Sequence, residues 1–187
     1  MAVFAVIDTE TNWNNQVMSL GVVLGDSRDL HLLDGRYYVF PRECQVGGMY
    51  DGVLDLVPGE QTRVLSRTQA MKDLNLWLRQ QGVDRIFAYN ARFDCRHLPE
   101  LSGFSWFDIM RLAAYRQYNP RIPCTAPCCS TGRLKSRYGV EPILGLLSGD
   151  PSYRETHNAY YDAVDELRIM QLLGRSLCDY ECGRING

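Results

Sequence analysis

Val3-Phe-Ala-Val-Ile7-Asp8-Thr-Glu10 is a short apolar run that stops at two acids. A run of that length, rich in β-formers, predicts a buried strand. Residues two apart on a strand point to the same face, so both carboxylates can converge at the strand's end. Asp179-Tyr-Glu181 repeats the spacing but follows no apolar strand. Two like charges held together repel unless a hard cation lies between them, and Mg²⁺ accepts such oxygens. The competing reading is a salt bridge to a facing helix.

Working outward, Val17 to Leu24 is a second apolar run with Gly25 and Asp26 as turn signals, and Arg36 to Phe40 is a third that closes at Pro41. The three predict an antiparallel start. Gly47 to Pro58 reads as loop. Ser66-x-x-Gln69 is a capping-box pattern, and Ala70, Leu74, Trp77 and Leu78 follow at helical spacing until Gly82. Arg85 to Tyr89 reads as a strand feeding a short helix over Ala91 to Leu98, a switch where α/β sites tend to sit. Further helices are expected over Asp108 to Tyr118 and over Leu134 to Tyr138, the latter closed by Gly139. A final helix begins near Asn158 and carries Ala159, Ala163, Leu167, Met170 and Leu173 on one stripe, with Gly174 as its cap. This order suits an α/β fold, a mixed central sheet flanked by helices. Without repeat or linker, residues 1–187 read as a single domain.

The chain has 187 residues, with 20 Lys and Arg against 22 Asp and Glu for a net charge of −2. That balance argues against coating nucleic acid by charge alone, but not against gripping a chain end. The N-terminal run is too short to span a bilayer and lacks a basic leader, so a soluble, cytoplasmic protein is expected. Seven cysteines argue against a disulfide scaffold. Cys124-x₃-Cys128 and Cys178-x₃-Cys182 have zinc-ligand spacing; one structural Zn²⁺ site is weighed against reduced thiols, which are favoured.

Asp94 falls one turn into the helix after the Arg85 to Tyr89 strand. Alone it is an ordinary first-turn acid. If the two strands are neighbours, it faces the same crevice as Asp8 and Glu10. His157 and Asp162, five residues apart, would be about 140° apart on one helix. They converge only if His157 precedes the helix. Asp162 then lies beside the core stripe, where an acid needs a partner or a metal, and His157 is a candidate general base. Such a set, distributed over three elements, suits two-metal phosphodiester hydrolysis.

Val-Ile-Asp8-Thr-Glu10-Thr, Tyr-Asn90-Ala-Arg-Phe-Asp94 and His157-Asn-Ala-Tyr-Tyr-Asp162-Ala resemble, in order, the three motifs of the DEDDh branch of the DnaQ-like 3′-to-5′ exonucleases. The resemblance spans residues 3 to about 173. It implies an RNase H-like exonuclease fold and two Mg²⁺ or Mn²⁺ ions held by Asp8, Glu10, Asp94 and Asp162. It also implies His157 as general base, Asn90 beside the substrate strand, and nucleoside 5′-monophosphates released from a single-stranded DNA or RNA 3′ end. Many members have Thr-Thr-Gly where this chain has Thr11-Asn12-Trp13, so the loop that meets the terminal nucleotide is expected to be reshaped. The short stretch after the last helix gives no sign of a polymerase-docking tail. The rival reading is a non-catalytic nucleic-acid-binding or scaffold module that retains the fold.

Between Asp108 and Glu141 there is no acid, while Arg111, Arg116, Arg121, Arg133, Lys135 and Arg137 interleave with Tyr115, Tyr118 and Tyr138. The segment reads either as a strip that tracks phosphates and stacks bases, with Arg133 and Lys135 as contacts, or as a solvated loop with tyrosines in the core.

Overall fold

A computed structural model describes residues 2–185. Six strands, β1 (Val3–Thr11), β2 (Val17–Asp26), β3 (Leu32–Val39), β4 (Thr62–Val64), β5 (Arg85–Ala88) and β6 (Ser105–Asp108), form one sheet in the order β4-β3-β2-β1-β5-β6. The first three are antiparallel, as expected, whereas β4 pairs parallel with β3, and β5 and β6 extend the sheet parallel to β1. The helices are α1 (Pro41–Cys44), α2 (Arg67–Gln80), α3 (Arg92–His97), α4 (Met110–Ala113), α5 (Val140–Ser148) and α6 (Ala159–Leu173).

Strand parity divides the core. Ala5 and Ile7 of β1 join Leu20, Val22 and Leu24 of β2 beneath Leu74 and Trp77 of α2. Phe4 and Val6 join Val23, Phe87 and Phe107 beneath Ile143 and Leu144 of α5 and Ala163 and Leu167 of α6. All ten residues of β2 are buried because helices cover both faces, which explains its near-continuous apolar sequence. The capping box forms at α2, with Gln69 N–H donating to the Ser66 hydroxyl and Ser66 N–H to Gln69 Oε1. Beyond α6, a 3₁₀ helix (Leu177–Gly183) buries Tyr180, and the chain at Arg184 and Ile185 pairs along β6, covering that edge.

Three expectations are corrected. The stretch from Gly47 to Pro58 contains a 3₁₀ helix over Asp51–Leu56. The helix expected over Asp108 to Tyr118 shrinks to α4: Asp108 closes β6, and the Ala113 and Ala114 carbonyls are taken by the Asn119 side chain and the Leu134 N–H. No helix forms over Leu134 to Tyr138. Leu134 bridges to Cys128 instead, Arg137 is left-handed at φ 57°, and Gly139 opens α5 rather than closing a helix before it. Pro142 fits there because an N–H in the first helical turn has no intrahelical partner.

Candidate active site

The C-terminal ends of β1 and β5 lie side by side in the middle of the sheet. Asp8 and Glu10 continue the parity of Phe4 and Val6, so they emerge on the face covered by α6. The ladder with β2 shifts register between Glu10 and Thr11, ending regular pairing there. Asp94, on α3, is buried and accepts a hydrogen bond from the Thr9 hydroxyl at 2.7 Å. The turn into α3 is held by Asp108, whose Oδ1 accepts from the N–H groups of Asn90 and Met110.

What sets α6 over the carboxylates is Gly21, the cross-strand neighbour of Asp8. A Cβ there would lie 2.0 Å from the Ala159 carbonyl oxygen, so only glycine lets the first turn of α6 rest on the sheet. Asp162 is thereby buried against the cluster. His157 precedes the helix, as its spacing required, with a left-handed φ of 57°. Asn158 fixes the next residue: its Oδ1 accepts from Tyr160 N–H, and its Nδ2 donates to the Val53 carbonyl and the Tyr37 hydroxyl. Asn90 and His157 are two of five non-glycine residues with positive φ among those described, backbone strain of the kind that clusters at functional sites.

Glu10, His157 and Asp162 each offer a ligand atom within 4.8 Å of the others. One oxygen of Asp162, Oδ1, is buried without a hydrogen-bond partner. Burial, and then the neighbouring Glu155, push Asp8 up to about 7. Burial followed by Asp8 pushes both Glu10 and Asp162 up to about 9, and raises Asp94 well above the carboxylate range. Acids crowded in this way resist ionisation unless positive charge is supplied. Orphaned oxygen, hard donors and like-charge repulsion together fit a divalent cation at Glu10 and Asp162, with the Asp8 carboxylate close enough to raise both and that of Asp94 close enough to raise Glu10.

Four residues that sequence reading did not single out also belong to this neighbourhood. Glu166, one turn beyond Asp162, is buried beside Asp8 and Asp94 and accepts from Tyr89 N–H at 2.9 Å, tying α6 to the end of β5. Glu155 is pushed up to about 7 by burial and then by Asp165 and Glu141. Tyr50 stacks on the His157 imidazole, with centroids 4.2 Å apart and planes 14° from parallel. Thr9 holds Asp94 as described.

The Thr11-Asn12-Trp13 loop divides its roles. Asn12 is buried as a turn organiser: its Oδ1 accepts from the N–H groups of Asn14 and Gln16, and its Nδ2 donates to the Glu43 carbonyl. Trp13 is 66% exposed. In the basic segment the tyrosines are already engaged. Arg111 lies over Tyr115 and Tyr118, Arg133 lies over Tyr138, and Tyr118 and Tyr138 pack against the core. Lys135 is exposed, and the Tyr138 carbonyl accepts from the Tyr89 hydroxyl, so the segment reaches the residue beside Asn90.

Among the described residues, two groups of three or more side chains could hold a metal: the one above and Asp26, Asp29 and His31. Neither includes a cysteine, so Cys124, Cys128, Cys178 and Cys182 are not brought together as a zinc site. At the second group, at the opposite end of β2, Asp26 is already gripped by the Arg28 guanidinium.

No protein-family profile matches the chain, and no curated protein matches it in sequence. The solved structures do. The nuclease domain of 3′hExo, a DEDDh family member bound to rAMP, superposes with a TM-score of 0.66 at 16% identity, covering 96% of this chain and 94% of that one. This chain has the fold of the DEDDh exonucleases. A full-length 3′-exonuclease agrees at a TM-score of 0.64 and 14% identity, over 99% and 90% of the two chains. E. coli Exonuclease I in complex with an oligonucleotide gives 0.60 at 11% identity; the DEDDh fold seen here covers 96% of this chain but 42% of that longer one. No helix among the described residues is long and apolar enough to cross a membrane.

Proposed function

We propose that the chain is a divalent-metal-dependent 3′-to-5′ exonuclease acting on single-stranded DNA or RNA. The observation that carries this reading is the convergence of Asp8, Glu10, Asp94 and Asp162, from three elements, at the C-terminal ends of β1 and β5 with His157 beside them. Two Mg²⁺ or Mn²⁺ ions held by those four carboxylates would supply charge to the phosphoryl oxygens and acidify water. His157 accepts the proton of the attacking water at its imidazole. Tyr50 holds that ring flat, and Asn158 fixes the backbone behind it. Thr9 orients Asp94, while Glu166 locks α6 to β5 so that Asp162 and Asp94 keep their separation. Asn90, Thr11 and Trp13 border the terminal nucleotide, with Asn12 shaping their loop, and Arg133 and Lys135 are its cationic contacts on the 109–140 segment. The product settles the reaction type. Digestion with Mg²⁺ should yield nucleoside 5′-monophosphates by mass spectrometry, whereas oligonucleotide fragments alone would indicate endonucleolytic cleavage.

A further inference from the structure

The exposed side of α3 borders a cavity of about 510 Å³ lined by Asn15, Asn90, Arg92, Phe93, Arg96 and His97. Asp94 sits on the opposite, buried side of the same helix, so this hollow lies one helix-width from the carboxylate cluster. Its far wall is the β1–β2 turn that also presents Trp13. Arg92 and Arg96 are four residues apart, which places like charges as neighbours on a helix surface where they repel. Neither lies within 4.0 Å of a carboxylate among the described residues, although the Arg92 charge is felt by Asp108, whereas Arg67 nearby is held by Glu100. Phe93 is exposed and its ring meets that of His97 at 4.3 Å between centroids, tilted by 42°, so an aromatic pair runs alongside the two arginines on the same helix surface. In the 109–140 segment, by comparison, Arg111 lies over Tyr115 and Arg116 donates to the Ala126 carbonyl.

Two exposed arginines beside an exposed phenylalanine suit successive phosphates, with a base stacked on the Phe93 ring. We propose that this α3 hollow is a binding site for the single-stranded phosphodiester segment upstream of the 3′ end. It would bring a polyanion to a site that is itself acidic. This inference rests on the nucleic-acid reading of the carboxylate site.

The test is binding in EDTA, where no hydrolysis follows, of a fluorescein-labelled dinucleotide and a twelve-residue single strand to the whole chain and to its Arg92→Ala/Arg96→Ala variant. The unaltered protein should hold the long strand about tenfold or more tighter than the dinucleotide, and the variant should lose most of that preference. The slope of log Kd against log salt should fall by about 1.4, the share of two phosphates on a single strand. Arg92→Lys/Arg96→Lys should retain most of the slope, separating lost charge from lost fold. An unchanged preference and slope in the alanine variant would overturn the proposal, as would failure of the unaltered chain to prefer the long strand. Failure of the exonuclease reading shows separately, as absence of metal-dependent shortening in a protein that still binds.

Discussion

His157 gains its orientation from two contacts that lie outside the three motifs: the Tyr50 ring against its face and the Asn158 side chain that pins the next residue. Tyr50 therefore acts as a positioning residue. Tyr50→Ala should lower kcat by between about tenfold and 100-fold, the scale of a misplaced general base, while Tyr50→Phe keeps the stacking and most of the rate. Equal losses in steady-state assays of both variants would mean that the hydroxyl, not the ring, matters. The sequence picked out the motif acids and His157 as candidates because three short motifs occur in order, with Asp8 and Glu10 closing an apolar strand and His157 standing just ahead of a helix. Glu166 was not legible, because it falls on the stripe of Ala163, Leu167 and Met170, where the apolar period marks a core face rather than a site. Tyr50 and Glu155 lie in irregular segments, where no period says which way a side chain points.

Elements meet at the site because β1 and β5 end together and α6 lies directly on β2. Gly21 makes the second of these possible. Gly21→Ala would drive a methyl into the Ala159 backbone, so denaturant titration should show a loss of about 1–3 kcal/mol or more, with activity falling further as Asp162 is displaced. A neutral effect on both would mean that α6 can lift without disturbing the carboxylates. The three antiparallel strands, α2 and α6 were readable from apolar runs, a capping box and a glycine stop. The middle of the chain was not. β4 has three residues and β6 four, and the expected helix over Leu134 to Tyr138 gave way to a left-handed Arg137 and cross-segment bridges that only tertiary structure dictates.

The folded molecule gathers acids that burial and mutual repulsion hold protonated, and this links its stability to pH. Asp8, Glu10, Asp162 and Glu155 sit at about 7 to 9 when folded, against about 4 in an unfolded chain. Groups raised on folding contribute stability that is complete below the unfolded value and lost as pH rises through the folded one. In EDTA, the thermal midpoint should therefore fall between about pH 5 and about pH 9, each proton released on unfolding adding up to about 1.4 kcal/mol per pH unit. Mg²⁺ or Mn²⁺ should restore the midpoint, and by more at higher pH because the ion binds the ionised carboxylates. A metal-induced shift that does not grow with pH would count against ligation by these acids. The central claim is that the carboxylate and histidine cluster removes nucleotides from a 3′ end. It is tested most directly by incubating 5′-labelled single-stranded DNA and RNA with the protein in Mg²⁺, Mn²⁺ or EDTA, beside Asp162→Ala and His157→Ala. The account predicts a metal-dependent ladder that shortens from the 3′ end, abolished by Asp162→Ala and slowed about 10²–10⁴-fold by His157→Ala. Intact strands in every lane, or a ladder that persists in both variants, would contradict it.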